Sequence, residues 1–278
     1  MRYFIGRLLQ HRAFCHAPLH TLWRAICLAV NLTLQRETTF PLQFGTHSFT
    51  FPFRPGERHS GGRGIFLYRE RIEPLYQFGA QFLSDGAVCI DGGANQGIYT
   101  LAFATAVGDS GHVIAVEPME DPIVVLREGA RINDLTNITV LQKVLYEHEG
   151  ELTLDHTKGI GGASILRDHG GRSTTPVEAT TIDHIVDDLS LNRLDLVKMD
   201  IEGAELAALQ GAEHTLCTLQ PILSVEAHPD EFSAIKAFVQ PFGYEPALFD
   251  ASGSLERIEK IKSKEPSVLF IPAHFPDL

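Results

Sequence analysis

Apolar residues recur along this chain first at a helical spacing, then at a strand spacing, and from Ala87 onward in alternating blocks of the two. The stretch LHTLWRAICLAVNLTLQR (19–36) sets Leu22, Ile26, Ala29 and Thr33 along one side of a helix. Residues 40–66 read as short strands and loop. Within them HSFTFPFRP places Phe49, Phe51 and Phe53 at every second position, and Pro52, lacking an N–H, confines that strand to a sheet edge. PGERHSGGRG (55–64) is a basic loop, either a connector or a lid. A helix over Leu67–Leu83, started or kinked at Pro74, ends at Ser84-Asp85-Gly86. Strand and helix then alternate: strand Val88–Asp91, a helix from Gly97 to about Val107, strand HVIAVEP (112–118), helix Pro122–Asp134 and strand NITVLQKVL (137–145). GELTLDH (150–156) and TPVEATTIDHIV (175–186) look like two added strands around the glycine-rich KGIGGASILRDHGG, where Ser164 is the residue to watch. The fourth strand runs to Asp200, and Glu202-Gly203 starts a helix with Leu206 and Leu209 facing inward. The fifth, PILSVEAHPDE (221–231), ends on Glu226 and His228. This order predicts an open, mostly parallel α/β sheet over residues 67–278, preceded by an extension, 1–66.

Composition narrows the partners. With 278 residues, 44% of them hydrophobic, the chain can bury the core of one large domain with an appendage. Its formal net charge of −12 argues against a nucleic-acid partner, because phosphate binding needs a basic surface. Residues 1–36 differ: they hold Arg2, Arg7, Arg12, Arg24 and Arg36 and no acid, which leaves −17 (−12 less the +5 of this segment) for the rest. Three readings of residues 19–36 stand open: a helix packed on the main domain, a membrane-surface helix with Trp23 and basic residues, or a targeting peptide. Cys15, Cys27, Cys89 and Cys217 form no C-x-x-C pair, which speaks against zinc and a disulfide framework and for reduced thiols in the cytoplasm. No apolar run reaches the roughly 18–20 residues that spanning a membrane needs. Oligomeric state is not legible in the sequence.

The chemistry concentrates in VCIDGGANQGIYT (88–100), a strand, a tight turn and a helix start. A dinucleotide loop wants G-x-G-x-x-G, and Gly92, Ala94 and Gly97 fill those places with a methyl group at the middle one. Shifted by one residue the stretch reads Asp91-x-Gly93-x-Asn95-x-Gly97, the acidic glycine loop of S-adenosylmethionine (SAM) enzymes, with Asn where a left-handed backbone is tolerated. Glu117, at the end of the next strand, stands where a ribose diol is held, in NAD and SAM alike. Asp91, Glu117, Asp200, Glu226 and His228 all fall at strand carboxyl ends, the reactive rim of an open α/β sheet.

VCIDGGANQGIYT, VIAVEP, LDLVKMDIEGAELAALQGA and PILSVEAHPD, in that order and spacing, resemble the FkbM family of SAM-dependent methyltransferases. The resemblance covers about residues 70–275, its K-x-D-x-E-G-A-E block is specific, and residues 1–66 lie outside it. Gly92 replaces a β-branched residue and Met199 an Ile. It implies a Rossmann-like class I fold with helices on both sheet faces, SAM as cofactor, and methylation, commonly of a hydroxyl on a sugar, glycolipid or polyketide-like molecule. The expected cofactor-binding residues are Asp91, Gly93, Ala94, Asn95, Gly97 and Glu117, and the expected partner is a small-molecule or glycan acceptor.

A hydroxyl acceptor needs its proton removed, and His228 has the suitable ordinary pKa. Asp200 and Glu226 either hydrogen-bond the acceptor or form an oxygen-ligand site for Mg²⁺; the resemblance does not demand a metal, and none is expected. Lys198 reads as a salt-bridge partner of a neighbouring acid. The competing classes are an NAD-dependent oxidoreductase, which Ala94 and the lack of a Tyr-x-x-x-Lys pair oppose, and a non-catalytic SAM-binding protein. An N-methyltransferase would carry Asn/Asp-Pro-Pro-aromatic after strand four, where MDIEGAE stands instead.

Overall fold

A computed structural model describes residues 11–55, 62–71, 73–155, 164–165, 174–263 and 265–275. Residues 56–61 of the basic loop, and the glycine-rich stretch apart from the backbone of Ser164 and Ile165, lie outside them.

Helices α1 (Arg12–His16) and α2 (Pro18–Leu34) lead into an antiparallel hairpin of β1 (Thr38–Phe44) and β2 (His47–Phe53). Both strands of the hairpin are edges, so Pro52, opposite Thr39, interrupts no continuous ladder. The single helix expected over Leu67–Leu83 is instead four pieces: α3 (Gly62–Tyr68), a 3₁₀ turn, α4 (Pro74–Phe78) and a second 3₁₀ turn. Arg69 takes a φ of 54° at the first break, and Pro74 opens α4, where a missing N–H is harmless.

The alternating region follows with β3 (Val88–Gly92), α5 (Ile98–Val107), β4 (His112–Val116), α6 (Glu120–Ile132) and β5 (Ile138–Leu141). The strand expected over 137–145 stops at Leu141. Its last residues form β6 (Val144–Leu145), which joins β7 (Gly150–Asp155), β8 (Ser164–Ile165) and β9 (Thr174–Thr180) in a separate four-stranded sheet. The strand expected over 175–186 ends at Thr180. The Thr181 hydroxyl then accepts the His184 N–H and caps α7 (Ile182–Asp188), a helix start that the β-rich reading passed over. β10 (Leu196–Met199), α8 (Glu205–Gln210), α9 (Glu213–Thr218), β11 (Ile222–Ala227) and α10 (Pro229–Val239) complete the pattern. Three strands without counterpart in the sequence reading close the chain: β12 (Tyr244–Phe249), β13 (Leu255–Arg257) and β14 (Glu265–Pro272).

The main sheet runs β13-β12-β14-β11-β10-β3-β4-β5. β5, β4, β3, β10 and β11 are parallel, and β14 enters antiparallel between β11 and β12. Alternate residues of each strand feed opposite cores, as the strand period of two requires. Cys89, Val113 and Leu196 meet Phe103 of α5 on one face; Ile90, Ile114 and Val197 meet Ile185, Leu209, Leu216 and Ile235 of α7–α10 on the other. The sheet is therefore Rossmann-like with helices on both faces. Chain order reverses between β3 and β10, and the loops beyond their carboxyl ends flank the crevice where open sheets bind ligands.

The hairpin covers α5: Phe40, Leu42, Phe44, Phe49, Phe51 and Phe53 belong to the same core as Tyr99, Leu101 and Phe103. α2 is attached through Thr21 and Leu28, which are buried, and Ala25 and Leu32, which pack on that core. The side read as apolar in residues 19–36 points the other way, with Leu22 and Ile26 44% and 57% exposed. No helix among the described residues is long and apolar enough to cross a membrane.

Candidate functional site

β3 ends at Gly92 and the chain turns at once, with Gly93, Asn95 and Gly97 at φ of 69°, 48° and 83°. Asn95 adopts the left-handed backbone that its side chain tolerates. Gly93 has no substitute, since a Cβ there would stand 2.0 Å from the Asp200 carbonyl oxygen. Ala94 carries its methyl into a small cluster with Ala115 and Leu126, so packing takes up the group that departs from a dinucleotide loop.

Glu117 follows β4 directly and is 6% exposed. Its Oε2 accepts the Asn95 N–H at 2.9 Å and its Oε1 the Met119 N–H at 3.0 Å, which ties the strand end to the glycine loop. Burial pushes its pKa up to about 7, against the pull of those two donors. Asp91 lies within β3 and is fully buried. Its Oδ2 accepts the Thr100 hydroxyl at 2.6 Å and its Oδ1 stands 3.4 Å from Lys198 Nζ, so it sits behind the loop and braces it against α5.

Lys198 makes the salt bridge expected of it and does more. Its Nζ is also 4.0 Å from Asp200 Oδ2, donates to the Gly93 carbonyl at 3.4 Å, and stands 5.1 Å from the Tyr99 ring centroid. Burial works against its charge, but Asp91, Asp200 and Glu73 together hold its pKa above the usual lysine value. Glu73 is the residue that sequence reasoning missed. It occupies the N-cap position of α4, and its carboxylate accepts the Tyr99 hydroxyl. Burial pushes Glu73 up to about 7 and Tyr99 well above its ordinary value. Its one local sign is an acid before Pro74; the partners that give it meaning come from α5 and β10.

Beyond β10, the Asp200 N–H donates to the Gly92 carbonyl at 3.2 Å, which lays this loop against the glycine loop. Glu202 and Gly203 take φ of 52° and 93° and form a turn, so the helix expected to start there begins at Glu205. The Glu205 carboxylate reaches back to the N–H groups of Ile201 and Gly203, each at 2.9 Å. The last acid of K-M-D-I-E-G-A-E is thus a clamp inside the turn. The turn brings its acids to Glu226 of β11: oxygens of Asp200, Glu202 and Glu226 all lie within 4.8 Å of one another, a set that could hold a metal. His228 does not join this group. It is exposed at the N-cap of α10, and its side chain makes no capping hydrogen bond.

The Methyltransferase FkbM domain matches residues 91–246, more than half of the chain and the stretch that carries every element just described from Asp91 to His228. The chain belongs to the FkbM methyltransferase family. No curated protein matches its sequence. Among solved structures, this member of the FkbM family is similar to a methyltransferase FkbM from Methylobacillus flagellatus KT, at 18% identity and a TM-score of 0.45, over 89% of this chain and 59% of the other. It thus spans less than two thirds of that protein. A 16S rRNA N2 G1207 methyltransferase from T. thermophilus, solved with AdoMet and guanosine, is similar at 15% identity and a TM-score of 0.45, over 85% of this chain and 50% of its own. A SAM-dependent O-methyltransferase from Thermotoga maritima is similar at 13% identity and a TM-score of 0.40, over 72% and 65%.

Proposed function

We propose that the chain binds SAM across Gly93–Gly97 with the ribose hydroxyls on Glu117, and methylates a hydroxyl of a small-molecule or glycan acceptor. The reading rests on the Glu117 carboxylate, which is fixed by one backbone donor per oxygen, Asn95 of the glycine loop and Met119 of its own segment. A carboxylate offers about four lone-pair sites, so two remain for a diol. Bound SAM would supply a methyl group already activated by its sulfonium. The protein then has to align the acceptor and accept its proton. His228 takes that proton on its imidazole, while Asp200 and Glu226 receive hydrogen bonds from acceptor hydroxyls and set their direction. The resemblance supports a sugar, glycolipid or polyketide-like acceptor.

Calorimetric titration with SAM, in the wild type and in Glu117→Ala, tests the assignment. Loss of charge-assisted hydrogen bonds should weaken binding by about 1–3 kcal/mol. Unchanged affinity in a folded variant would remove Glu117 from the site. Stabilisation by NAD but not by SAM would replace the reading with an oxidoreductase.

A further inference from the structure

α2 exposes an apolar face that the methyl-transfer reading leaves unused. Leu19, Leu22, Trp23, Ile26, Val30 and Leu34 recur at spacings of one helical turn, with Leu19 81%, Trp23 65% and Leu34 66% exposed. The opposite face, with Thr21 and Leu28, holds the helix to the protein. Soluble surfaces seldom leave such a contiguous stripe uncovered. Beside it is a cavity of about 410 Å³ lined by Trp23, Arg24, Cys27, Phe66 and Arg69, among others. The Arg69 guanidinium lies 3.6 Å from the Phe40 ring centroid and 4.7 Å from that of Phe66, a cation set on an aromatic floor. Stripe and cavity share Trp23.

We propose that this face of α2 docks on an anionic phospholipid surface, with a lipid phosphate seated between Arg24 and Arg69. Charge decides among the occupants. Residues 1–36 carry five arginines and no acid on a chain of net charge −12, so an anionic surface attracts this end and repels the rest. A second copy carries the same net charge of −12, so the bodies of the two chains would repel each other as they met. At 17 residues α2 is about 25 Å long, shorter than a bilayer core, and it carries Arg24 on the flank that lines the cavity; such a helix lies in the interface plane with its aromatic residue at the headgroups.

Trp23 is the single tryptophan of the chain and lies on the stripe, so tryptophan emission, excited beyond the absorption of the tyrosines, reads this surface alone. The full chain would be titrated with phosphatidylcholine vesicles and with vesicles containing about one third phosphatidylglycerol. Emission should shift to the blue with the anionic vesicles only, and the shift should fade as salt rises. Ile26→Glu, at an exposed position, should weaken partitioning at least about tenfold with melting temperature and SAM affinity as in the wild type, and Arg24→Glu should weaken it to anionic vesicles with SAM affinity as in the wild type. No shift with anionic vesicles would overturn the proposal, as would equal binding to both vesicle types. A dimer in sedimentation that Ile26→Glu dissolves would give the stripe to a second copy. A Trp23 response to inorganic phosphate without vesicles would make the cavity a free-anion site. SAM binding is measured separately, so failure here leaves the cofactor reading untouched.

Discussion

A histidine works as a base only where an acceptor can reach it, and His228 stands exposed where β11 passes into α10. If it takes the acceptor proton, His228→Ala should lower turnover roughly 10²–10⁴-fold with SAM affinity unchanged, and a chelator should leave wild-type turnover intact. Loss with chelator and rescue by Mg²⁺ would instead give the rim to Asp200, Glu202 and Glu226. Glu73 is tested through stability. Its carboxyl titrates at about 7 in the fold against 4.5 ordinarily, so between those values the native state holds a proton that the unfolded chain has released. Stability from this group is therefore present at low pH and lost as pH rises toward 7. Glu73→Gln keeps the shape of the protonated acid. Its melting temperature should fall less than that of the wild type between about pH 5 and 7, and the variant should be the more stable above 7. Equal slopes would show that Glu73 does not hold its proton. The sequence could offer His228 and Glu117 because each follows an apolar strand. It could not offer Glu73, whose burial and partners come from segments far along the chain.

Among elements, the glycine loop was legible almost residue by residue, because backbone conformation is a local demand. Asn95 at a left-handed position and glycines at Gly93 and Gly97 follow from sterics alone. The need for Gly93 also has a distant cause, the Asp200 carbonyl. Gly93→Ala should therefore destabilise the protein by at least about 2 kcal/mol, through backbone strain and a clash that no side chain can relieve. A wild-type melting temperature in that variant would mean that the two loops slide apart freely. The K-M-D-I-E-G-A-E block was visible as a motif, but its division of labour was not. Glu202 faces solvent, whereas Glu205 folds back on the turn, and letters at that spacing do not tell outward from inward. The same ambiguity left the readings of α2 open: its periodicity is sound, and which side faces out is set by its contacts with the rest of the protein.

For the whole molecule, the alternation of strand and helix conveyed the parallel block, since each strand–helix–strand unit is continuous in sequence. The N-terminal phenylalanines announced a strand but not its place over α5, which depends on a core assembled from both ends of the first hundred residues. The C-terminal strands were harder still, because their order in the sheet departs from their order in the chain. β14 lies between β11 and β12, and β12 has only β13 and β14 for neighbours. That arrangement has a consequence in time. As the chain is synthesised, β3, β4, β5, β10 and β11 can pair as they emerge, whereas β12 can form only its hairpin with β13 until Glu265–Pro272 has arrived to fill the gap. Until then the outer edge of β11 stays open, with its backbone groups unpaired and its apolar side chains partly uncovered. The nascent protein is thus most exposed to edge-to-edge aggregation and to chaperones in the interval between β11 and β14.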